Sequence, residues 1–299
     1  MSTTRKALDG LAISAMVGLC LCWGFQQVAI KFTAQYMSPV MQLALRSLIA
    51  ALLVGVLMAW RREGFALRDG TLLPGLAAGA LFAAEFLCIS IGLVHTTASH
   101  MVVFLYTAPI FTVLGLHWLI AAERMRMLQW SGIVLAFAGI ATAFSDGFGN
   151  AGTSSNGLLG DALGILAGIL WAATTILIRR SALSEAPATK TLLYQLAVSG
   201  VLLLAFACWS QPWSGVVING TVIASLFFQA VVIAFISFLI WFWMLRHYLA
   251  SRLSVFSFLT PLFGVGFGMV LLNDPVNLRF AIGAALVLGG IVLVNLRKA

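Results

Sequence analysis

The sequence predicts an all-α membrane protein whose ten transmembrane helices form two inverted repeats of five. Three observations predict this fold class: a very apolar composition, ten apolar runs of membrane-spanning length, and a residue pattern that recurs about half the chain apart. Of the 299 residues, 62% are hydrophobic and only 9% are charged, against roughly 25% charged in an average soluble domain. The apolar runs are continuous rather than alternating, which excludes a transmembrane β-barrel.

Ten apolar runs follow one another and leave no stretch for a soluble domain. A helix needs about 20 apolar residues to cross a bilayer, and each run has about that length. We number them span 1 to span 10, at 10–30, 38–60, 71–93, 97–120, 127–145, 157–178, 189–209, 218–245, 250–272 and 277–296. Only a Thr/Ser-rich hinge at 95–99 separates spans 3 and 4, so nine spans is the alternative count.

The basic residues favour ten spans and predict their orientation. Cytoplasmic loops are enriched in Lys and Arg. With both termini in the cytoplasm, all Lys and Arg residues other than the intramembrane Arg46 lie on the cytoplasmic side except Lys31 and Arg279, whereas nine spans would scatter these charges. The net charge of +8 therefore indicates membrane orientation, and we expect no nucleic-acid partner.

The two halves of the chain, 1–147 and 148–299, are predicted to be two five-helix repeats. Shifts of 148 to 152 residues superpose Trp23 on Trp171, Lys31 on Arg179, Pro39 on Pro187, Ser99 on Ser251, Pro109 on Pro261, Glu123 on Asp274, Gly132 on Gly283 and Gly139 on Gly290. Because five is odd, the second repeat enters the membrane in the opposite orientation. Such inverted repeats are typical of secondary transporters, whose substrate site lies near the midplane between the repeats.

The motifs of the repeat resemble a known family over the whole chain. A Ser and Pro in the fourth helix, short acidic turns (AAERMRMLQWSG, 121–132; LNDPVNLRFAIG, 272–283) and a Gly-rich fifth helix are similar to the EamA-type branch of the drug/metabolite transporter (DMT) superfamily. Within it, EFLCISIGLVHTTASH (85–100) and ILWAA (169–173) resemble the YddG-type bacterial amino-acid exporters. The resemblance implies a central cavity lined by spans 1, 3, 4, 6, 8 and 9, and export across the bacterial inner membrane.

Two ionisable residues, Glu85 and Arg46, lie well inside predicted spans. Intramembrane charges cost at least ~2.5–3.5 kcal/mol on insertion scales and are therefore functional candidates. Both residues lie about three residues from the middle of their spans, so both are expected about 5 Å from the midplane. Either they pair, or Glu85 faces the cavity and binds a substrate ammonium or a proton. The alternatives are that Arg46 reaches the outer interface and that Glu85 is a structural acid.

Further cavity candidates are aromatic or polar. Trp23 and Trp171 lie a few residues beyond the centres of spans 1 and 6, away from the interfacial belts, and could stack on substrate or simply pack between helices. The resemblance favours Trp171 and also Tyr106, whereas Ala108 stands where aromatic-amino-acid exporters carry a large ring, which suggests broader selectivity. Ser99 and His100 crowd the outer end of span 4 and could contact substrate or only the interface.

Pro109 and Pro261 are expected to kink spans 4 and 9, because proline lacks the backbone N–H that a helix interior uses. Such kinks free carbonyl groups that can line a cavity, and we predict that they take part in gating. Gly-x3-Gly patterns such as Gly75 with Gly79 allow close helix packing. We expect a monomer, although these patterns would also suit a dimer.

The sequence predicts a transporter and no enzyme, since it has no nucleophile elbow, zinc-protease helix, nucleotide loop or other catalytic motif. We expect no cofactor and no metal, because the four cysteines fall inside apolar runs. The predicted function is alternating-access export of neutral and aromatic amino acids and related metabolites from a multi-pass position in the inner membrane. The alternative is multidrug or other small-metabolite efflux.

Overall fold

The computed structural model describes residues 6–64, 68–96, 98–145, 155–210, 216–272 and 278–295. Within these ranges the chain is almost entirely helical, which confirms the predicted all-α membrane fold. Nine helices there are long and apolar enough to cross a membrane. The helix of span 5, Met127–Ala143, is apolar but has only 17 residues, the lower limit for crossing a bilayer.

The observed helices follow the predicted spans closely. The unbroken ones are span 1, Gly10–Thr33; span 2, Pro39–Trp60; span 3, Leu72–His95; span 5, Met127–Ala143; span 6, Ser155–Arg180; span 7, Ala188–Ser210; and span 10, Leu278–Asn295. Span 3 ends at His95, and the backbone of Thr96 is extended. Spans 3 and 4 are therefore separate helices, as the ten-span topology requires.

Three spans are interrupted at mid-length. Span 4 consists of Ala98–Leu105 and Ala108–Leu119, and span 9 consists of Ala250–Phe256 and Leu259–Leu272. Span 8 runs from Gly220–Phe227 through a ten-residue π-helical segment, Phe228–Ser237, to Phe238–His247. Long π-helical segments are rare and occur frequently at functional sites.

Helix starts in the structure have local causes. Pro39 opens span 2 at a position where a missing N–H costs nothing, and the Ser38 hydroxyl caps it by accepting from Met41 N at 3.3 Å. Asn219 caps span 8 in the same way, because its side-chain oxygen accepts from Val222 N at 2.9 Å. Both devices satisfy N–H groups that a helix start leaves without partners.

The packing of the spans is symmetric under exchange of the two repeats. Span 1 packs on span 9 as span 6 packs on span 4, and span 3 packs on spans 6 and 7 as span 8 packs on spans 1 and 2. Spans 5 and 10 pack on each other. A β-carbon on Gly132 would lie 2.7 Å from Gly290 O, and one on Gly139 would lie 2.6 Å from Gly283 O, so glycine permits this close crossing.

Several glycine patterns pack inside the bundle. A β-carbon on Gly75 or Gly79 would lie 2.5 Å from side-chain atoms of Tyr194 or Val198 in span 7. These glycines therefore serve contacts between the repeats. The end of the bundle that carries the 2–3, 4–5, 6–7 and 8–9 connections is called the basic face below, and the other end is called the opposite face.

Candidate functional site

A cavity lies at the centre of the bundle, between the two repeats. It contains about 900 Å³ of space not filled by atoms, part of it open to the outside. Its lining comes from spans 1, 3, 4, 6, 8 and 9, as the resemblance implied, and in addition from spans 2 and 7. The lining residues are Trp23, Gln26, Arg46, Phe82, Glu85, Phe86, Ile89, Leu105, Tyr106, Trp171, Thr174, Thr175, Ile178, Gln195, Phe238, Trp241, Phe242, Leu245 and Thr260.

Glu85 lines this cavity from the middle of span 3 and is only 7% exposed. An unpaired carboxylate in such a site is costly to bury, so it needs a proton, a cation or a hydrogen-bond donor. Among the described residues none donates a hydrogen bond to it. Gln195 of span 7 adds a second acceptor to the lining, because its Oε1 is buried and has no partner within the described part of the chain.

Arg46 also lines the cavity, and the alternative that it reaches the outer interface is wrong. It does not reach the outer interface, because it is 1% exposed and its guanidinium carbon lies 5.1 Å from the ring centroid of Phe86 and 5.9 Å from that of Phe238. It also forms no ion pair with Glu85 in the described structure. The two aromatic rings hold the guanidinium in the cavity wall by cation–π contacts.

The predicted aromatic candidates line the same cavity. Trp171 packs edge-on against Tyr106 with 5.8 Å between ring centroids. Trp23 packs edge-on against Trp241 at 5.7 Å, and its Nε1 donates a 3.0 Å hydrogen bond to the Ser237 hydroxyl. Ser237 ends the π-helical segment of span 8, and Trp241, in the helix that follows it, lines the cavity.

The remaining site predictions have different outcomes. The backbone of Ser99 and His100 belongs to the first helix of span 4, but their side chains lie outside the described residues. Pro109 and Pro261 lie in the first turns of the second helices of spans 4 and 9, and neither can donate a backbone bond across the interruption that precedes it. Tyr106 lies at one interruption and Thr260 directly after the other, so both breaks place a lining residue.

A buried charged cluster on the basic face was missed by sequence reasoning. Arg179, at the end of span 6, pairs with Glu123 of the 4–5 turn, with side-chain exposures of 2% and 0%. Glu123 also accepts hydrogen bonds from the backbone N–H groups of Ala250 and Ser251 at 3.1 Å each and from the Ser251 hydroxyl at 2.6 Å. A carboxylate of the first repeat thus caps span 9 of the second.

This cluster, Arg179, Glu123 and the first turn of span 9, lies next to the cavity. Arg179 Nη1 donates to the Leu245 carbonyl at 3.4 Å, and both Leu245 and Ile178, the residue before Arg179, line the cavity. Its signal was present in the sequence, because the repeat alignment had marked Arg179 and Glu123 as matched positions. Hydropathy alone places both residues in loops, because each lies just beyond the end of an apolar run.

A second charged pair lies on the basic face. Lys190, at the start of span 7, pairs with Asp69 of the 2–3 connection at 2.5 Å, and the Thr71 hydroxyl donates to Asp69 at 2.6 Å. The hydrogen bond from Lys190, with that from Thr71, lowers the pKa of Asp69 to about 2. Glu63 of the same connection accepts a hydrogen bond from Thr189.

On the opposite face the corresponding position is neutral. Gln42 matches Lys190 at the shift of 148 residues, and its Oε1 accepts from the Thr33 hydroxyl at 2.8 Å and from Gln229 Nε2 at 2.9 Å. Gln229 Nε2 also donates to the Ser225 hydroxyl at 3.0 Å. This neutral cluster, Thr33, Gln42, Ser225 and Gln229, joins spans 1 and 2 of the first repeat to span 8 of the second.

Comparison with known proteins agrees with this architecture. The EamA-like transporter family matches residues 10–145 and again 158–296, that is, once in each predicted repeat. A crystal structure with 18% sequence identity superposes with a TM-score of 0.82 and covers 96% of each chain, which supports the fold.

Relatives of similar length are named as transporters. An uncharacterized transporter of Archaeoglobus fulgidus is 26% identical, with 93% of this chain and 95% of that protein aligned. One of Bacillus subtilis is 24% identical over 94% and 90%. A protein of Salmonella typhimurium, named a probable amino-acid metabolite efflux pump, is 26% identical over 91% and 90%. This chain therefore belongs to the EamA-like transporter family, and it is a multi-pass membrane transporter.

Proposed function

We propose that this transporter exports amino acids and related small metabolites across the bacterial inner membrane by alternating access. The observation that carries the proposal is the central cavity, in which Glu85 lies among aromatic walls between the two repeats. Ligand sites of this kind combine an apolar lining with a few polar groups that orient the ligand. The name of the Salmonella relative agrees with this substrate class.

The chemistry of the lining suits a small ligand with an ammonium group. Glu85 supplies a negative acceptor, and Gln195 Oε1 supplies a neutral one. Trp171, Tyr106 and Trp23 supply apolar surface for a side chain, and the absence of a large ring at Ala108 supports a broad range of neutral amino acids. Glu85 is also a candidate for proton coupling, since a substrate ammonium and a proton would compete for the same carboxylate.

Alternating access requires each face of the bundle to open in turn. On the basic face the pair Arg179 and Glu123 ties span 6 and the 4–5 turn to span 9 beside the cavity. We infer that this cluster separates when the basic face opens, and that the basic face is cytoplasmic, as the distribution of Lys and Arg predicts. Hydrogen bonds to water would replace these contacts and limit the cost of opening.

Efflux of lipophilic cations is the second candidate function. The same carboxylate and rings would hold a delocalised cation by charge and cation–π contacts. The two candidates differ in what they predict for a zwitterion, because a cation site gains nothing from a substrate carboxylate.

The test is transport by the purified protein in liposomes. We expect concentration-driven exchange of labelled neutral amino acids, and little transport of tetraphenylphosphonium. Replacing Glu85 by Gln should lower amino-acid exchange at least about tenfold, the size expected for losing a charged hydrogen bond, whereas Glu185→Gln at an exposed site should not. Transport of no amino acid would overturn the substrate assignment.

The same liposomes report on coupling. If a pH gradient drives amino-acid movement in the wild type and not in Glu85→Gln, Glu85 carries the proton. Movement that is indifferent to the gradient in both proteins identifies facilitated diffusion.

A further inference from the structure

The guanidinium of Arg46 is buried in the cavity wall, and two of its nitrogen atoms have no hydrogen-bond partner among the described residues. Its side chain belongs to span 2, is 1% exposed and lines the cavity. Nε and Nη1 have no hydrogen-bond partner within the described residues. Buried polar groups in proteins are almost always hydrogen-bonded, and an exception calls for a physical explanation. The cavity in front of Arg46 offers one, because a ligand could supply the missing acceptor.

The protein holds this guanidinium in place but provides no hydrogen-bond acceptor for Nε or Nη1 among the described residues. Phe86 and Phe238 flank it at 5.1 and 5.9 Å, and their ring faces attract its charge. Ring faces do not replace in-plane acceptors, which the N–H groups of a guanidinium require. Glu85 lies on the same cavity but makes no ion pair with Arg46 in the described structure. The aromatic contacts therefore hold the guanidinium in the cavity wall and leave Nε and Nη1 without an acceptor among the described residues.

A carboxylate is the group that fits these donors. It carries two acceptor oxygens and a negative charge, and its hydrogen bonds with a guanidinium are charge-assisted and therefore strong. The cavity also holds the acceptors Glu85 and Gln195 Oε1, so donors and acceptors are available to one zwitterionic ligand. A purely cationic substrate would leave Arg46 Nε and Nη1 unpaired, because it offers no acceptor for their N–H groups.

We propose that Arg46 binds the substrate carboxylate and makes that carboxylate a requirement for transport. This inference rests on the proposed export of amino acids and names the group by which they are recognised. The site then discriminates against amines and amides of the same size, since these leave the Arg46 donors unpaired. A bound carboxylate would neutralise Arg46 in the closed cavity, as an ammonium would neutralise Glu85.

The experiment compares leucine with leucinamide, which keeps the ammonium and the side chain but lacks the carboxylate. Wild-type protein in liposomes should exchange leucine at least about tenfold faster than leucinamide, in line with the strength of a charged hydrogen bond. Arg46→Gln should lower leucine exchange by about the same factor and leave leucinamide unchanged. Arg46→Lys should lie between them, because it keeps the charge and loses the planar donor pair.

Controls separate recognition from folding. Arg180→Gln changes an exposed arginine and should match the wild type. Size-exclusion profiles establish that each variant is folded, and Arg46→Lys serves if Arg46→Gln fails to fold. Equal loss of leucine and leucinamide exchange in the Arg46 variants, or wild-type transport of leucinamide as fast as leucine, would overturn the inference while leaving amino-acid export intact.

A binding measurement covers the case in which no amino acid is transported. The unfolding temperature of the detergent-purified protein is measured with 4-methylpentanoate and with inorganic phosphate. Stabilisation of the wild type but not of the Arg46 variants by the carboxylate supports Arg46 even if the proposed export fails. No shift, an equal shift in the variants, or a larger shift with phosphate contradicts carboxylate recognition.

Discussion

The two ends of the bundle join the same two repeats with different chemistry. On the basic face the joints are charged: Arg179 pairs with Glu123, and Lys190 pairs with Asp69. On the opposite face the joint is the neutral cluster around Gln42. Lys190 and Gln42 occupy matched positions in the two repeats, so this difference arose within one symmetric framework.

The two ends differ in how much stability the protein loses when one side chain is removed there. Removing one partner of a buried ion pair costs about 3–5 kcal/mol, whereas losing a buried neutral hydrogen-bonding partner costs about 1–3 kcal/mol. The basic face is therefore more sensitive to the loss of one charged side chain than the opposite face is to the loss of one neutral side chain.

The largest expected effect comes from breaking the charged joint. Arg179→Ala should destabilise the protein by about 3–5 kcal/mol, because it leaves the Glu123 carboxylate buried without its cation. Unfolding of the purified protein in detergent by denaturant measures this loss. Arg180→Ala, at the exposed neighbouring position, should change stability by no more than about 0.5 kcal/mol. Equal stability of the two variants would show that the Arg179–Glu123 pair contributes no more to stability than an exposed arginine does.

A smaller effect is expected at the neutral joint. Gln42→Ala should cost about 1–2 kcal/mol, near the lower end for a buried hydrogen-bonding group, because Thr33 and Gln229 keep Ala29 O and Ser225 as partners. Gln35→Ala, at an exposed position near the end of span 1, is the control and should be close to neutral. If Gln42→Ala lowered the free energy of unfolding as much as Arg179→Ala, the two ends would be equally sensitive to the loss of one side chain.

The smallest effect is a pH dependence confined to the basic face. The Lys190 hydrogen bond, with those from Thr71, lowers the pKa of Asp69 to about 2 in the folded protein, against about 3.9 in an unfolded chain. The stabilisation by ionised Asp69 is thus complete above about pH 4 and is lost as the pH falls towards 2.

Asp69→Asn tests this linkage by thermal unfolding. The variant should melt about 2 °C below the wild type at pH 7, and the two melting temperatures should converge near pH 2. A difference that stays constant from pH 7 to pH 2 would show that Asp69 stabilises the protein by something other than its charge.

Much of the fold could be predicted, because membrane helices are specified locally. Bilayer thickness fixes span length, and backbone hydrogen bonds must be satisfied within each helix, so hydropathy located all ten spans. The repeat followed from matched residues such as Trp23 with Trp171. Proline chemistry located the interruptions of spans 4 and 9, although the sequence predicted kinks and the structure has breaks.

The rest depends on contacts between distant residues, which hydropathy does not encode. Arg179 and Glu123 looked like loop charges, because nothing in a single sequence says that they meet in the interior. The π-helical segment of span 8 contains no proline or glycine from which it could be predicted. Its irregular geometry affects the positions of Ser237 and Trp241. Hydropathy also does not predict the contacts of Arg46, since its aromatic partners Phe86 and Phe238 come from two other spans.

Thiol labelling of the cavity from each face tests alternating access most directly. Thr175 lines the cavity, so Thr175→Cys is introduced into a variant whose four cysteines, Cys20, Cys22, Cys88 and Cys208, are replaced by serine. A membrane-impermeant maleimide is applied to vesicles of either orientation. We expect the cysteine introduced at position 175 to be labelled from both faces, and Glu123→Gln should raise labelling from the basic face several-fold. Alternating access would be contradicted if labelling came from one face alone in both the parent and Glu123→Gln, with or without amino acid.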